Sequence, residues 1–318
     1  MGNAYDLICI GTALVDSIIK GFDPNPISAS GYRALSGSIH VGGEAVNEAM
    51  AAAKLGVKTG IFCCLGSDEA GEMIENALKR TGVDTGLILR VPDHSTPVTT
   101  MFVKEDGSRK SITNEAHRFN FRPDLYPERV AGSKALIFGS LFRAPFDDPG
   151  IIHAVLKTAH ENGEIVFADT KLPNFRFLTL EDLMDSLPLI DYITPNEDEA
   201  RYYTKKETPE EMADVFLSYG IKNVIIKLGA KGCFFKNGKE SIFLPPYPIH
   251  AVDATGAGDN FAAGFASEIL RGSSDQAALR FANACGAICT TAVGASAALQ
   301  GREQVLEFMK KNSTASDL

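Results

Sequence analysis

The feature that most constrains the fold is an alternation of short apolar runs with longer amphipathic segments. Six apolar runs predict strands, at residues 7–10, 59–65, 135–138, 165–168, 192–194 and 224–228. Three longer segments have helical spacing, at residues 45–55, 69–80 and 151–161. A glycine follows each of them, as Gly56 follows the first, and can take the left-handed conformation that ends a helix. This order predicts an α/β fold with a central, mostly parallel sheet flanked by helices.

Two regions depart from this order. Residues 14–40 and 95–115 alternate apolar and polar side chains without a helical period, and the second contains a turn sequence, EDGS, at 105–108. We predict that they form a small β-sheet lid, whose exposed face covers a cleft, pairs with a second subunit, or does both. The predicted main domain comprises residues 1–13, 41–94 and 116–312, and the predicted lid comprises residues 14–40 and 95–115. Residues 313–318 are predicted to form a frayed polar tail.

Composition limits the functional classes. The chain has 318 residues, of which 45% are hydrophobic and 22% charged, so we expect a globular protein. Its net charge of -9 argues against binding to nucleic acid or to an anionic membrane surface. The apolar runs are shorter than the ~20 residues that span a bilayer, and no basic segment precedes the first one. The six cysteines lie in apolar surroundings without a C-x-x-C pair, so we predict reduced thiols, no zinc site and a cytoplasmic location.

Residues 253–259, DATGAGD, precede a helical run that extends to Leu270. Small residues at a helix start let the backbone approach a ligand, and the first amides of the helix lack internal partners. This combination predicts an anion hole, although the chain has neither a Walker motif nor G-x-G-x-x-G. Asp259 in the first turn is placed to accept a proton from a hydroxyl that attacks phosphorus. The alternative is a glycine-rich turn in which Asp259 only stabilises the helix.

At this point the sequence resembles the ribokinase-like (phosphofructokinase-B type) carbohydrate kinases. The DATGAGD segment is similar to one family signature, with Ala254 where threonine is commoner, and GGEAVN at 42–47 is similar to the other. Three more motifs follow the family order, IGTALVD at 10–16, TPNEDE at 194–199 and LGAKG at 228–232. The resemblance therefore covers nearly the whole chain.

The resemblance implies roles for residues at the catalytic and sugar sites. Asp259 matches the catalytic base, and the amides of Gly256, Ala257 and Gly258 match the anion hole for the transferred phosphoryl group. The candidate substrate-binding residues are Leu14, Asp16, Gly42, Gly43, Glu44 and Asn47. Of these, Asp16, the two glycines and Asn47 match positions that contact sugar hydroxyls. The alternatives are a simple strand-to-helix turn for the glycines and helix packing for Asn47.

The resemblance also implies ATP and Mg²⁺. Asn196 and Glu199 match an N-x-x-E element that organises magnesium and nucleotide phosphates, the alternative being a helix cap. The other candidate nucleotide-binding residues are Lys227, Gly229, Lys231, Gly232 and Asn283, the last beside adenine. Lys227 stands where the family often has threonine or serine, so it either reaches phosphate or is solvated.

A monovalent-cation site, for K⁺, is the third implication of the resemblance. Its ligands would be the Asp253 carboxylate and backbone carbonyls of four residues, Thr255, Cys289, Ala292 and Gly294. Ala298 stands where some members have serine, which removes one possible ligand.

Substrate identity is predicted from charge. The acidic Glu44 disfavours an acidic substrate, so we expect a neutral sugar of the ribose or fructose type. Against this, four cations lie in segments that could face the cleft and hold a carboxylate or phosphate, namely Arg109, Lys110, Arg143 and Arg176. Lys171 follows a strand end, where it could lie near the ATP phosphates.

We predict an ATP-dependent sugar kinase that forms a homodimer through the lid. A sugar-acid kinase or a nucleoside kinase of the same family is the closest alternative, and the latter needs a base pocket, for which Phe102, Phe119 and Phe121 are candidates. A sugar-binding regulatory protein without turnover is the alternative from another class. The intact Asp259 speaks against it.

Overall fold

The structure, a computed structural model, describes residues 4–23, 31–106, 108–114 and 121–312. Its centre is an eight-stranded sheet, in the order β14 (Ser241–Leu244), β13 (Cys233–Asn237), β12 (Asn223–Lys227), β11 (Tyr192–Ile193), β10 (Ile165–Thr170), β9 (Ser133–Leu141), β1 (Tyr5–Ile10) and β4 (Thr59–Phe62). The strands from β4 to β12 pair in parallel, and β13 is antiparallel to both of its neighbours. This confirms the predicted fold class.

Both faces of the central sheet are buried, which explains why its strands are continuous apolar runs. In β1, Leu7 and Cys9 belong to one core cluster, whereas Ile8 and Ile10 belong to the other. The first cluster is covered by five helices, α1 (Glu44–Lys54), α2 (Glu69–Arg80), α7 (Ala257–Leu270), α8 (Asp275–Cys289) and α9 (Arg302–Asn312). The second is covered by α3 (Pro127–Val130), α4 (Pro149–Glu161), α5 (Glu197–Thr204) and α6 (Pro209–Ser218).

A separate four-stranded sheet lies in the two regions that alternate without a helical period. Its order is β3 (Ser36–Gly42), β2 (Leu14–Lys20), β7 (Val98–Val103) and β8 (Arg109–Thr113). The central pair is parallel and the outer pairs are antiparallel. Ile39 and Ile112 on its outer strands are 61% and 67% exposed. The predicted turn joins β7 to β8, with Gly107 itself outside the described residues.

The prediction of one strand over residues 59–65 is wrong. The chain leaves the central sheet after β4 and forms β5 (Cys64–Gly66), which pairs in parallel with β6 (Leu89–Val91). At the break, the Cys63 carbonyl accepts a hydrogen bond from the Leu89 amide at 2.9 Å. The apolar run therefore serves two sheets, a change that periodicity alone does not reveal.

Helix ends follow local capping chemistry. Residues 69–80 form α2 as predicted, because the Asp68 side chain accepts a hydrogen bond from the Gly71 amide at its start. Helix α4 begins two residues earlier than predicted, since Asp148 caps it and Pro149 fits its first position. Gly56, Gly82 and Gly163 all have positive φ at the helix ends, as expected.

All six cysteines are buried and free. Within the described ranges, no helix has both the length and the apolar character needed to cross a membrane. The predicted polar tail, 313–318, lies outside those ranges. The division into main domain and lid stays a prediction.

Candidate active site

A cavity of about 890 Å³ opens between the small sheet and the carboxyl ends of the central strands. Thr12, Arg143, Asp169, Asn196 and Gly229 reach it from the ends of β1, β9, β10, β11 and β12. Carboxyl ends of parallel strands form the usual ligand-binding edge of such sheets. The small sheet contributes side chains from β2, β7 and β8, so the cavity has a floor of buried strand ends and a roof of half-exposed strands.

The predicted anion hole lies at the start of α7, on the cavity wall. Gly256 caps the helix with a φ of 76°, and a Cβ there would lie 2.3 Å from the Cβ of Ala295. A Cβ on Gly258 would lie 3.1 Å from Nζ of Lys227. The amide of Ala257 donates to the carbonyl oxygen of Ala254 at 3.2 Å, a bond with which a bound anion would compete. The positive end of α7 thus faces the cavity, with an ammonium group nearby.

Asp259 lies in the first turn of α7 and is only 7% exposed, on the cavity wall. The amide nitrogen Nδ2 of Asn47 donates to Oδ2 of Asp259 at 2.7 Å, which links α1 to α7. Burial raises the pKa of Asp259 to about 6; Lys171 opposes this rise, while Glu44 and Asp169 add to it. A carboxylate with this pKa is well matched to proton acceptance near neutral pH. Asn47, predicted as a sugar contact, also lines the cavity and orients this carboxylate.

Glu44 is part of a polar cluster rather than an isolated charge. Its carboxylate accepts hydrogen bonds from the hydroxyls of Thr12 and Ser140 and pairs with Nζ of Lys171 at 3.3 Å. Burial alone would raise its pKa, but Lys171 and the two hydroxyls hold the pKa at about 2. The expectation that Glu44 disfavours an acidic substrate assumes an unpaired charge at this residue. The structure corrects that assumption, because Lys171 neutralises it.

Asp16 and the glycine pair are brought together as predicted. A Cβ on Gly42 would lie 2.5 Å from Oδ2 of Asp16, so glycine makes room for this carboxylate. Gly43 has a φ of 100°, and a Cβ there would lie 2.4 Å from the Thr12 carbonyl oxygen. Burial raises the pKa of Asp16, and Glu44 adds to the rise. Leu14, Asp16, Gly43, Glu44 and Asn47 line the cavity, whereas Gly42 shapes it from behind.

Lys227 is not solvated, contrary to one of the two alternatives. Its Nζ contacts Oδ1 of Asp169 at 2.7 Å, and its side chain is only 12% exposed. Thr194 also donates to the same oxygen, at 3.0 Å. The sequence motifs assign no role to Asp169. An acidic residue at the end of a buried parallel strand was the signal that could have identified it.

Asn196 and Glu199 form a capping box at the start of α5. Oδ1 of Asn196 accepts from the Glu199 amide, and Oε2 of Glu199 accepts from the Asn196 amide, both at 2.9 Å. Thr170 donates to the same Glu199 oxygen at 2.9 Å. Both residues also line the cavity. They are therefore a helix cap whose oxygen-bearing side chains are within reach of a ligand.

Three of the predicted nucleotide-binding residues do not line this cavity, whereas Gly229 does. Lys231 pairs with Glu197 at 2.8 Å. A Cβ on Gly232 would lie 2.0 Å from the Leu244 carbonyl oxygen, so this glycine is required by the turn between β12 and β13. Asn283 on α8 donates to the Pro245 carbonyl oxygen at 3.5 Å.

The predicted monovalent-cation residues are partly brought together. Oδ1 of Asp253 accepts from the amide and hydroxyl of Thr255, and Oδ2 accepts from the Gly294 amide at 2.9 Å. The Cys289 thiol donates to the Thr255 carbonyl oxygen at 3.4 Å. The Ala298 carbonyl accepts from Gln304 at 3.0 Å. No recorded hydrogen bond in the described chain connects Ala292 to this group.

Four of the five cations predicted near the cleft line the cavity, namely Arg109, Lys110, Arg143 and Lys171. Arg176 does not, because it pairs with the exposed Asp148 at 2.6 Å. Phe121 is not a lid residue, since it is buried with its ring 5.1 Å from that of Phe62 in the core. Phe102 packs on Phe22, and Phe119 lies outside the described residues. The prediction that Phe121 contributes to a nucleobase pocket is therefore wrong.

Known proteins resemble this chain both in sequence and in structure. A family profile described as "pfkB family carbohydrate kinase" matches residues 5–301. Ribokinase of Haemophilus influenzae is 31% identical over 86% of this chain and 88% of its own length. Probable fructokinase-5 of Arabidopsis thaliana is 29% identical over 98% of this chain and 100% of its own. The structure of Arabidopsis thaliana ribokinase complexed with ribose and ATP has a TM-score of 0.84 at 27% identity, covering 98% of this chain and 99% of that one.

Proposed function

Because the chain belongs to the pfkB family of carbohydrate kinases, we propose that it transfers the γ-phosphoryl group of ATP to a hydroxyl of a small, neutral sugar. The observation that best supports this proposal is the position of Asp259. Its buried carboxylate lies at the start of α7, accepts a hydrogen bond from Asn47 and lines the same cavity as Asp16. The ribokinase and fructokinase names of two relatives support a sugar of the ribose or fructose type.

In this proposal Asp259 removes the proton of the attacking hydroxyl. Asn47 fixes one carboxylate oxygen, which leaves the other for the substrate. Asp16, which lines the same cavity, accepts hydrogen bonds from further sugar hydroxyls. The start of α7, with Gly256 and Gly258, receives the charge of the transferred group, so catalysis depends mainly on positioning and electrostatics.

Asn196 and Glu199 fit a site for the magnesium that accompanies ATP. Both offer hard oxygen atoms on the cavity wall, and Mg²⁺ is usually held by one or two carboxylates together with phosphates and water. When bound, the ion would neutralise charge on the phosphates. Lys227, already close to Gly258, would add positive charge at the same wall.

The small sheet would close over the substrates as a lid. It contributes Thr99, Met101 and Arg109 to the cavity roof. Closure would exclude water, so that ATP is not hydrolysed without sugar. The exposed Ile39 and Ile112 support a homodimer through this sheet, which a mass equal to one chain in light scattering would refute.

A sugar acid is the second candidate substrate. Arg109 and Arg143 line the cavity, and neither forms an ion pair with a carboxylate in the described part of the chain. Guanidinium groups bind carboxylates well, and Glu44 no longer opposes such a substrate because Lys171 neutralises it. Replacing Arg109 or Arg143 with glutamine would raise KM about tenfold for an acid but leave it nearly unchanged for a neutral sugar.

The deciding experiment measures ADP formation from MgATP across neutral hexoses, pentoses, sugar acids and nucleosides. Turnover of a neutral sugar that is lost in Asp259→Asn supports the proposal. Turnover only of an acid or a nucleoside would retain the mechanism and replace the substrate. Sugar binding without any ADP formation would favour a regulatory protein.

Potassium activation and a cytoplasmic location complete the proposal. Asp253, Thr255, Cys289 and Gly294 are close together beside α7, which supports a monovalent-cation site. Equal rates in sodium, potassium and choline salts would refute it. The buried, free cysteines support a reducing compartment, which localisation of a tagged chain would test.

A further inference from the structure

Glu48 on α1 is a buried acid that the proposed mechanism does not use. Its relative exposure is 0%, and neither carboxyl oxygen has a hydrogen-bond partner among the described residues. A buried carboxyl group without a partner is costly, and such groups usually have a structural or functional explanation. Glu48 lies next to Asn47 along α1, directly below the catalytic floor.

Two further acids approach Glu48 from different elements. One oxygen each of Glu48, Asp169 and Asp259 lies within 4.8 Å of the other two. Oxygen ligands stand about 2.0 to 2.1 Å from Mg²⁺ and about 2.3 to 2.6 Å from Ca²⁺, so two ligands on opposite sides of one ion are about 4 to 5 Å apart. Gly139 lets the backbone pack closely against this carboxyl group, since a Cβ there would lie only 3.0 Å from Oε2 of Glu48. The three oxygens therefore have a spacing that one ion can bridge.

The charges around this group are unbalanced. Lys227 pairs with Asp169, and Lys171 pairs with Glu44, so each nearby lysine already has an acidic partner. Burial raises the pKa of Glu48 well above its ordinary value, and Asp169 and Asp259 add to the rise. Either a proton or a cation can relieve this excess. A protonated carboxyl group needs an acceptor, which Glu48 lacks in the described chain, whereas a cation uses the unpartnered oxygens directly.

We propose that Glu48, Asp169 and Asp259 together bind a divalent metal ion of the Mg²⁺ or Mn²⁺ class beneath the floor of the cavity. This site is separate from Asn196 and Glu199 and does not need a nucleotide. Asp169 and Asp259 line the cavity and Glu48 does not, so the ion enters from the cavity and is held from below.

The site has a consequence for activity, and this part rests on the proposed function. A metal ion bound to Asp259 withdraws negative charge from the carboxylate that would accept the substrate proton. Excess free metal, at fixed MgATP, therefore inhibits the enzyme. The inhibition weakens in Glu48→Gln, because this variant loses a ligand while Asp259 remains.

The test measures binding of Mn²⁺ alone, without ATP or sugar, by the paramagnetic resonance signal of the free ion. We expect one ion per chain for the unmodified protein and a dissociation constant about tenfold or more weaker for Glu48→Gln. Glu164→Gln is the matched control. Glu164 is also a buried glutamate with an unpartnered oxygen, but it binds the Gly132 and Ser133 amides elsewhere. This control should bind Mn²⁺ like the unmodified protein.

The proposal is overturned if the unmodified protein binds no Mn²⁺, or if Glu48→Gln binds it equally well. The first result would mean that protonation relieves the cluster, and the second that the ion binds elsewhere. Circular dichroism checks folding, and if Glu48→Gln does not fold, Asp169→Asn has to show the same loss of binding. Because no substrate is present, Mn²⁺ binding stands even if the kinase panel shows no turnover.

Discussion

The floor and the roof of the cavity are built differently. On the floor, the side chains contact one another in pairs that are at least partly buried. Asn47 donates a hydrogen bond to Asp259, and two ion pairs join Lys227 to Asp169 and Lys171 to Glu44. On the roof, the small sheet exposes Ile39 and Ile112 and carries cations such as Arg109 on its edge strand. Groups on the floor are held by buried or half-buried partners, whereas the roof strands β7 and β8 are half-buried or exposed. The chemical step should therefore depend on the floor, and substrate choice and association on the roof.

The largest effect should come from the floor, in Asp259→Asn. This change removes the proton acceptor with little change in size, so kcat should fall about 10²- to 10⁴-fold. Steady-state ADP formation measures it, with circular dichroism to show that the fold is retained. A fall of less than about fivefold would mean that the floor does not supply the base.

A smaller effect is expected for Asn47→Ala, which leaves the base but removes its orienting donor. We expect kcat to fall about ten- to a hundredfold, since a small misplacement of a catalytic group is costly. The hydrogen bond from Asn47 lowers the pKa of Asp259, so its loss should also move the acidic limb of the rate profile to higher pH. An unchanged profile would assign Asn47 to sugar contact alone.

The next smaller effect is expected in the pH dependence of kcat/KM of the unmodified enzyme. Burial raises the pKa of Asp259 to about 6, and only its ionised form accepts a proton. The value of kcat/KM should therefore be level above this pH and fall about tenfold for each unit below it. A profile still level at pH 5 would show that another group is the base.

The smallest effect on turnover should come from the roof, in Ile39→Asp. A charge on this exposed position should weaken pairing of the small sheet with a second copy and lower the mass seen in light scattering. We expect kcat to change less than about threefold, because no floor contact is touched. A loss as large as that of Asn47→Ala would remove the distinction between floor and roof.

The sequence predicts the floor unevenly. Asp259 and Gly256 on the floor, and Asp16 on β2 of the roof, lie in short motifs that the local sequence reveals. The pairing of Glu44 with Lys171 was missed because it joins distant segments, and no local spacing encodes it. Glu48 was missed for a different reason, since an acid within an apolar helix gives no sign of facing Asp169 and Asp259.

The fold, like the site, can be predicted from the sequence only where local properties determine it. Strand and helix positions follow from periodicity and capping, which are local properties. The break between β4 and β5 at Cys63 depends on where Leu89 lies in space. Because the local pattern carries no sign of that contact, the apolar run at 59–65 predicts a single strand. The sugar contact at Gly42 stays a prediction, and the structure adds a separate reason for glycine there, which is room for the Asp16 carboxylate.

The ion pair between Glu44 and Lys171 has an evolutionary consequence. Losing either partner alone would leave an uncompensated charge in a largely enclosed site, which is more harmful than replacing both. Substitutions at the two positions are therefore energetically coupled. Among descendants of a common ancestor, positions 44 and 171 should therefore vary together rather than singly.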